Sequence, residues 1–134
     1  MITVKTTVNA TIEKVWDCFT QASHIVNWYF ASPDWHAPLA ENDLKVGGKF
    51  KTNMTAKDGS FAFDFEGIYS NVEKHRYIAY GLGDGRKVEI RFEENNHQTE
   101  VTESFDPETL NPEEMQKAGW QAILDNFKKY TESI

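Results

Sequence analysis

The feature that most constrains the fold is a long amphipathic segment at the C-terminal end, residues 111–134. Its start carries helix signals: Asn111 suits the N-cap, Pro112 the first helical position, and Glu114 has capping-box spacing from Asn111. Apolar residues then recur on one face at helical period, namely Met115, Ala118, Ala122, Ile123, Phe127 and Tyr130. Because strand-like segments precede this helix, we predict that it buries its apolar stripe against the inner face of a sheet.

The N-terminal part of the chain predicts a strand and two helices. Residues 2–8 alternate between apolar and polar side chains, as in a half-buried strand. A helix then begins at Asn9 or Thr11 and continues to about Ala22, and Ser23 is placed to cap a second, short helix. Residues 31–42 contain two prolines and favour an irregular connection.

The middle of the chain predicts five or six antiparallel strands. Alternating segments cover residues 44–55, 61–72, 76–82, 88–92 and 98–105. The turn signals between them are short, and short turns make antiparallel neighbours. The glycine pair at 47–48 suggests a bulge or bend, and a change of face is expected near Gly67. This order of elements predicts an α+β fold with the helices on one face of the sheet.

Composition excludes several functional classes. The net charge of −7 and the pI near 5.0 argue against nucleic acid or an anionic membrane as the partner. Cys18 is the only cysteine, so an internal disulfide is excluded, and we interpret it as a small buried side chain rather than a nucleophile. The four histidines show no metal-ligand spacing, and we predict neither metal nor cofactor. No secretion signal or membrane span is recognisable, which favours a cytoplasmic location.

Segments spread over nearly the whole chain carry a family resemblance. They are residues 10–16 (ATIEKVW), Trp28, residues 44–50 (LKVGGKF), 65–69 (FEGIY), 98–102 (QTEVT) and 119–124 (GWQAIL). Their order and spacing resemble the helix-grip fold of the START/Bet v 1-like superfamily. More closely, they resemble the single-domain proteins related to the activator of Hsp90 ATPase (Aha1-like, or SRPBCC, proteins). The resemblance implies one domain over residues 1–134, with a curved antiparallel sheet wrapped around the long C-terminal helix.

The resemblance also implies an apolar cavity between sheet and helix, and strand alternation supplies enough inward residues to line it. The predicted ligand-binding residues are Trp28, Phe50, Met54, Phe63, Phe65, Tyr69, Tyr80, Ile90, Phe92, Glu103, Trp120, Ile123 and Phe127. The alternative is that these residues simply fill a densely packed core.

Glu103 is the most informative polar residue among them. Alternation places it on the same face as Val101 and Phe105, which are natural core residues. A carboxyl group there would have a raised pKa and would be a candidate ligand anchor or general base. Because burying an unpaired carboxylate is costly, we favour the alternative that a bulge turns Glu103 toward solvent.

Three functional hypotheses follow. The first is binding of a small hydrophobic, aromatic or lipid-like molecule in the cavity. The second is a co-chaperone-like module that binds Hsp90, which the family resemblance suggests. The third is an enzyme of cyclase, dehydratase or hydrolase type, in which Glu103 or Tyr80 would transfer protons. Plain binding ranks first because the sequence supplies no complete set of catalytic residues, and no oligomeric state is predicted.

Overall fold

The computed structural model describes residues 1–134 and has the predicted α+β helix-grip architecture. In chain order the elements are β1 (Ile2–Val8), α1 (Ile12–Thr20), α2 (Ala22–Ile25), β2 (Trp35–Asn42), β3 (Lys49–Ala56), β4 (Ala62–Glu73), β5 (Tyr77–Leu82), β6 (Lys87–Asn95), β7 (Gln98–Phe105) and α3 (Glu113–Ser133).

All seven strands form one antiparallel sheet in the order β1-β7-β6-β5-β4-β3-β2. Strands β2 to β7 follow one another as hairpins. The last strand, β7, pairs with the first strand of the chain, β1, so that Val4 lies opposite Glu103. The helices pack on one face of the sheet, with α3 against β1 and α1. The sequence therefore predicted the fold class correctly.

A solvent-inaccessible part of the core lies where α1, β1 and the C-terminal half of α3 meet. Val8, Val15, Leu124 and Phe127 are all completely inaccessible to solvent. Trp28 packs its ring on Phe127 and donates from its indole Nε1 to the carbonyl oxygen of Cys18 at 2.9 Å. Cys18 is itself buried, as expected for a small apolar side chain.

The prediction of an irregular connection over residues 31–42 was wrong, because Trp35–Asn42 form an edge strand. The register between β2 and β3 shifts between His36 and Leu39, and Pro38 lies in that irregularity. Proline removes a ladder donor, which an edge strand tolerates at a bulge. The proline was therefore compatible with a strand at this position of the sheet.

The expected start of the next strand at residue 44 was also wrong, because β3 begins at Lys49. Residues 43–48 instead form a turn that requires both glycines. Gly47 has a φ of +83°, and a Cβ on Gly48 would lie 2.0 Å from the carbonyl oxygen of Asp43. The change of face in β4 occurs at a register shift between Tyr69 and Asn71, not at Gly67.

The predicted helix caps were wrong in detail. Pro112 is the N-cap of α3, and the Asn111 side-chain amide donates to Glu108 Oε1 at 2.9 Å instead of capping. Ser23 lies inside α2, whose N-cap is Gln21. The buried stripe of α3 is also rotated: it contains Leu124 and Thr131, whereas Ala118 is exposed.

Candidate functional site

A pocket of about 400 Å³ lies between the N-terminal half of α3, the β3–β4 hairpin and the segment that links α2 to β2. Six aromatic residues line it: Tyr29, Phe30, Trp35, Phe63, Phe65 and Trp120. Met54, Met115 and Ile123 add further apolar surface. Its volume and its composition are typical of small-molecule sites. We call it the outer pocket.

The outer pocket exists because α3 does not fill the sheet's concave face at this end. Gly119 points no side chain into the space, and no atom lies within 4 Å of the position its Cβ would take. The next residue, Trp120, stacks flat on Phe105 with ring centroids 4.0 Å apart and so lies against the sheet. Phe65 meets the edge of the Trp120 ring from the opposite wall.

Glu103 lies in the wall of this pocket and is buried, with 7% of its surface exposed. The ladders on both sides of β7 are regular, with Glu103 opposite Val4 and Ile90. The bulge that we favoured to turn this carboxyl outward does not occur. The free-energy cost of burying the Glu103 carboxyl is reduced because the pocket leaves room beside it. A filled core would seal the carboxyl from water completely.

The Glu103 carboxyl has no hydrogen-bonding partner in the protein. Burial is the cause that raises its pKa from 4.5 to about 8. Among the buried side-chain polar atoms, only Thr131 Oγ1 is both sealed from solvent and unpartnered. The Glu103 oxygens are unpartnered as well, so they cannot be sealed and must keep some access to the pocket. An acid that is neutral at about pH 7 can donate a hydrogen bond, and its ionised form can pair with a cation.

A smaller pocket of about 40 Å³ borders Glu103 as well and reaches Glu41 and Asn42 of β2. We call it the inner pocket. Tyr29 and Glu103 contribute to the walls of both pockets and so mark the border between them. Burial, together with the neighbouring Tyr29 and Glu103, raises the pKa of Tyr80 well above its ordinary value. Tyr69 also borders the inner pocket, and its hydroxyl donates to Asn42 Oδ1 at 2.5 Å.

The structure divides the predicted ligand-binding residues among three places. The outer pocket contains Met54, Phe63, Phe65, Glu103, Trp120 and Ile123. The inner pocket contains Phe50, Tyr69, Tyr80 and Ile90, together with Glu103. The remaining three, Trp28, Phe92 and Phe127, line neither pocket and pack in the core. A binding role for each of these residues stays a prediction.

Sequence reasoning left out Tyr29, Phe30 and Gly119 as pocket residues. Tyr29 was assigned to the second short helix, but α2 ends at Ile25, and the rings of Tyr29 and Phe30 both line the pocket. The run of aromatic residues from Trp28 to Phe30 before a proline-containing segment was the available signal. For Gly119, the signal was a glycine on the predicted inward side of a long helix.

The ionisable side chains around the two pockets are all acidic or phenolic. Glu103 borders both pockets, Glu41 borders the inner pocket, and no lysine, arginine or histidine lines either one. No group of three His, Cys, Asp or Glu residues is arranged to hold a metal ion. None of the helices is both long enough and apolar enough to cross a membrane.

The family is identified by comparison with known proteins. The family model described as "Activator of Hsp90 ATPase homolog 1-like protein" matches residues 9–132. The chain belongs to this family. No curated protein sequence matches it.

Solved structures are consistent with the membership of this chain in the AHSA1-like family. A solution structure of the AHSA1-like protein from Aeromonas hydrophila is 40% identical, with a TM-score of 0.90 over 98% of this chain and 93% of the other. Chr148 from Cytophaga hutchinsonii is 55% identical, with a TM-score of 0.84 over 98% of this chain and 92% of the other. Protein NE0264 from Nitrosomonas europaea is 18% identical with a TM-score of 0.85 over 98% and 94%, which shows the fold alone.

Proposed function

We propose that this AHSA1-like protein binds a small, largely apolar molecule in the outer pocket. The observation that carries the proposal is the combination of an aromatic wall with one buried, unpartnered carboxyl, that of Glu103. Ligand sites commonly combine a large apolar surface with a few polar groups that fix the orientation of the ligand. A packed core would gain nothing from a buried carboxyl that no protein group pairs with.

The location of the polar group supports the proposal further. Glu103 comes from β7, next to the edge strand β1, whereas the aromatic rings of Trp35 and Phe63 come from the opposite edge strand β2 and from β4. Phe63 is 41% exposed and Met115 is 61% exposed, so apolar side chains extend to the rim of the pocket. An elongated molecule would therefore bury its apolar body between these rings and place one polar group at Glu103.

The test is a titration with the uncharged fluorescent probe N-phenyl-1-naphthylamine, whose emission rises in an apolar site. We expect saturable binding to the native protein and a raised melting temperature, because a ligand that binds only the folded state stabilises it. Absence of saturable binding by this probe and by a panel of neutral aromatic compounds would contradict the proposal.

A blocking variant locates the site. Gly119→Phe places a ring where the outer pocket is open, and we expect it to reduce the affinity for the probe by about tenfold or more. The matched control is Ala118→Phe, because Ala118 is the preceding residue of α3, is exposed and lines neither pocket. Both variants should keep the helical circular dichroism of the native protein. Equal loss of binding in both would place the probe elsewhere.

Acid–base catalysis is a second candidate function. It is favoured by the pKa of Glu103, about 8, because general acids and bases work best with a pKa near the operating pH. Tyr29 and Tyr80 would then orient a substrate beside the carboxyl. Once a turned-over compound is known, Glu103→Gln should abolish its conversion while leaving binding within about threefold. Full activity in that variant would dismiss catalysis by Glu103.

A further inference from the structure

The ionisable groups around the pocket indicate the charge of the ligand. We infer that the outer pocket takes a molecule that carries a single positive charge, an alkyl or arylalkyl amine, with its ammonium group against Glu103 and its apolar body against the aromatic wall. This inference rests on the proposed function and narrows it to one chemical class.

The first argument is the unpaired carboxyl. Glu103 is buried, yet no lysine, arginine or histidine lies in either pocket, and no protein group donates a hydrogen bond to it. Buried carboxylates in proteins are normally paired or hydrogen-bonded. A ligand ammonium would supply the missing partner. A ligand carboxylate, as in a fatty acid, would find no cation in either pocket, and above about pH 8 it would also meet the ionised Glu103, so the pocket selects against anions.

The second argument is the nature of the wall. The rings of Tyr29, Trp35, Phe65 and Trp120 line the same pocket as Glu103. Aromatic faces attract cations through their quadrupoles, and tryptophan does so most strongly. An aromatic wall with one carboxyl therefore suits an organic cation, because the rings stabilise both the apolar body and the charged end.

The other titratable groups near Glu103 do not supply a competing charge. Tyr29, Tyr69 and Tyr80 face it from the α2–β2 segment, β4 and β5, and burial raises the pKa of each one, so all three stay neutral at about pH 6–9. Glu41 of β2 stands at the inner pocket and is acidic as well. α3 contributes no titratable residue to the outer pocket.

The test compares three ligands of one shape at about pH 8: 4-phenylbutylamine, 4-phenylbutan-1-ol and 4-phenylbutanoate, titrated by calorimetry. We expect the amine to bind about tenfold or more tighter than the alcohol, and the anion to bind weakest. In Glu103→Gln the amine should lose this advantage and bind within about threefold of the alcohol. In Glu100→Gln, which removes a charge from an exposed position on the same strand, the advantage should remain.

The pH dependence of the native protein gives a second, variant-free readout. The amine binds the ionised carboxylate, whereas Glu103, with a pKa of about 8, is mostly protonated in the free protein below that pH. Binding must then release a proton, so the amine's Kd should fall about tenfold from about pH 6 to about pH 7. The alcohol's Kd should stay unchanged over the same range.

Two outcomes would overturn the inference. If the alcohol binds as tightly as the amine, and more weakly above about pH 8, then protonated Glu103 donates to a neutral ligand instead. If the amine keeps its advantage in Glu103→Gln, the general negative charge of the protein causes it. Either result leaves the proposed function intact, provided that N-phenyl-1-naphthylamine binds. If that probe and all three ligands fail to bind, the proposed function fails together with the inference.

Discussion

The two halves of α3 differ in how they meet the sheet. The C-terminal half contributes Leu124, Phe127 and Thr131, none of which is accessible to solvent, and it packs where α1 and β1 close the core. The N-terminal half contributes Gly119, Trp120 and Ile123, and it forms one wall of an open pocket. One helix therefore contributes both to the packed core and to the wall of the outer pocket, and the division falls between two adjacent residues, Ile123 and Leu124.

Core packing and pocket lining are therefore separated along the helix. Side chains in the packed half have neighbours on all sides, so their removal leaves a cavity. Side chains in the open half already face empty space, so their removal changes the pocket more than the stability. The largest predicted effect tests this difference directly.

Leu124→Ala and Ile123→Ala remove the same number of carbons from adjacent positions on α3. Leu124→Ala should lower the free energy of unfolding by about 4 kcal/mol, because a completely buried side chain leaves a cavity behind. Ile123→Ala should cost only about 1 kcal/mol, because the half-buried Ile123 borders the outer pocket. Chemical denaturation with urea measures both. Equal losses would show that α3 is packed uniformly.

Glu103 lies at the border of the packed and open regions, between the inaccessible Val101 and Phe105 on β7. Its pKa rises from 4.5 to about 8 on folding, so the folded state holds the proton over that interval while the unfolded state has lost it. The stabilising effect of this proton is present below about pH 4.5 and is lost as the pH rises toward about 8.

Glu103→Gln removes this titration without changing the side chain's shape. Relative to the native protein, the variant should gain about 3 kcal/mol of unfolding free energy between about pH 5 and about pH 8. Urea denaturation of both proteins across this range measures the difference, and Glu100→Gln on the exposed side of β7 should show no such trend. A pH-independent difference would mean that Glu103 has an ordinary pKa in the folded state.

The part of the fold that could be predicted from the sequence is the part whose pattern is purely local. Residues 88–92 alternate between apolar and charged side chains, a tight turn joins them to the segment 98–105, and both segments became antiparallel strands. The strand over residues 35–42 could not be recognised, because its proline is acceptable only at an edge, and edge positions depend on the whole sheet.

The sequence predicted several residues that line the candidate site, but it did not predict the position of the empty space that they enclose. Alternation correctly placed Phe65 and Tyr80 on the inner face. The orientation of Glu103 was missed because the cost of burying its carboxyl depends on whether space lies beside it, and that space depends on how far Gly119 stands from the sheet. Sequence spacing contains no information on such a distance.

The smallest predicted effect concerns the space at Gly119. Gly119→Ala should raise the free energy of unfolding by about 0.5–1 kcal/mol, because alanine favours the helix and the added methyl group meets no atom within 4 Å. The reverse exchange at the exposed neighbour, Ala118→Gly, should lower it by a similar amount. Thermal unfolding measures both. If Gly119→Ala instead destabilised the protein, the open half of α3 would have to lie closer to the sheet, and the outer pocket would be smaller than its 400 Å³.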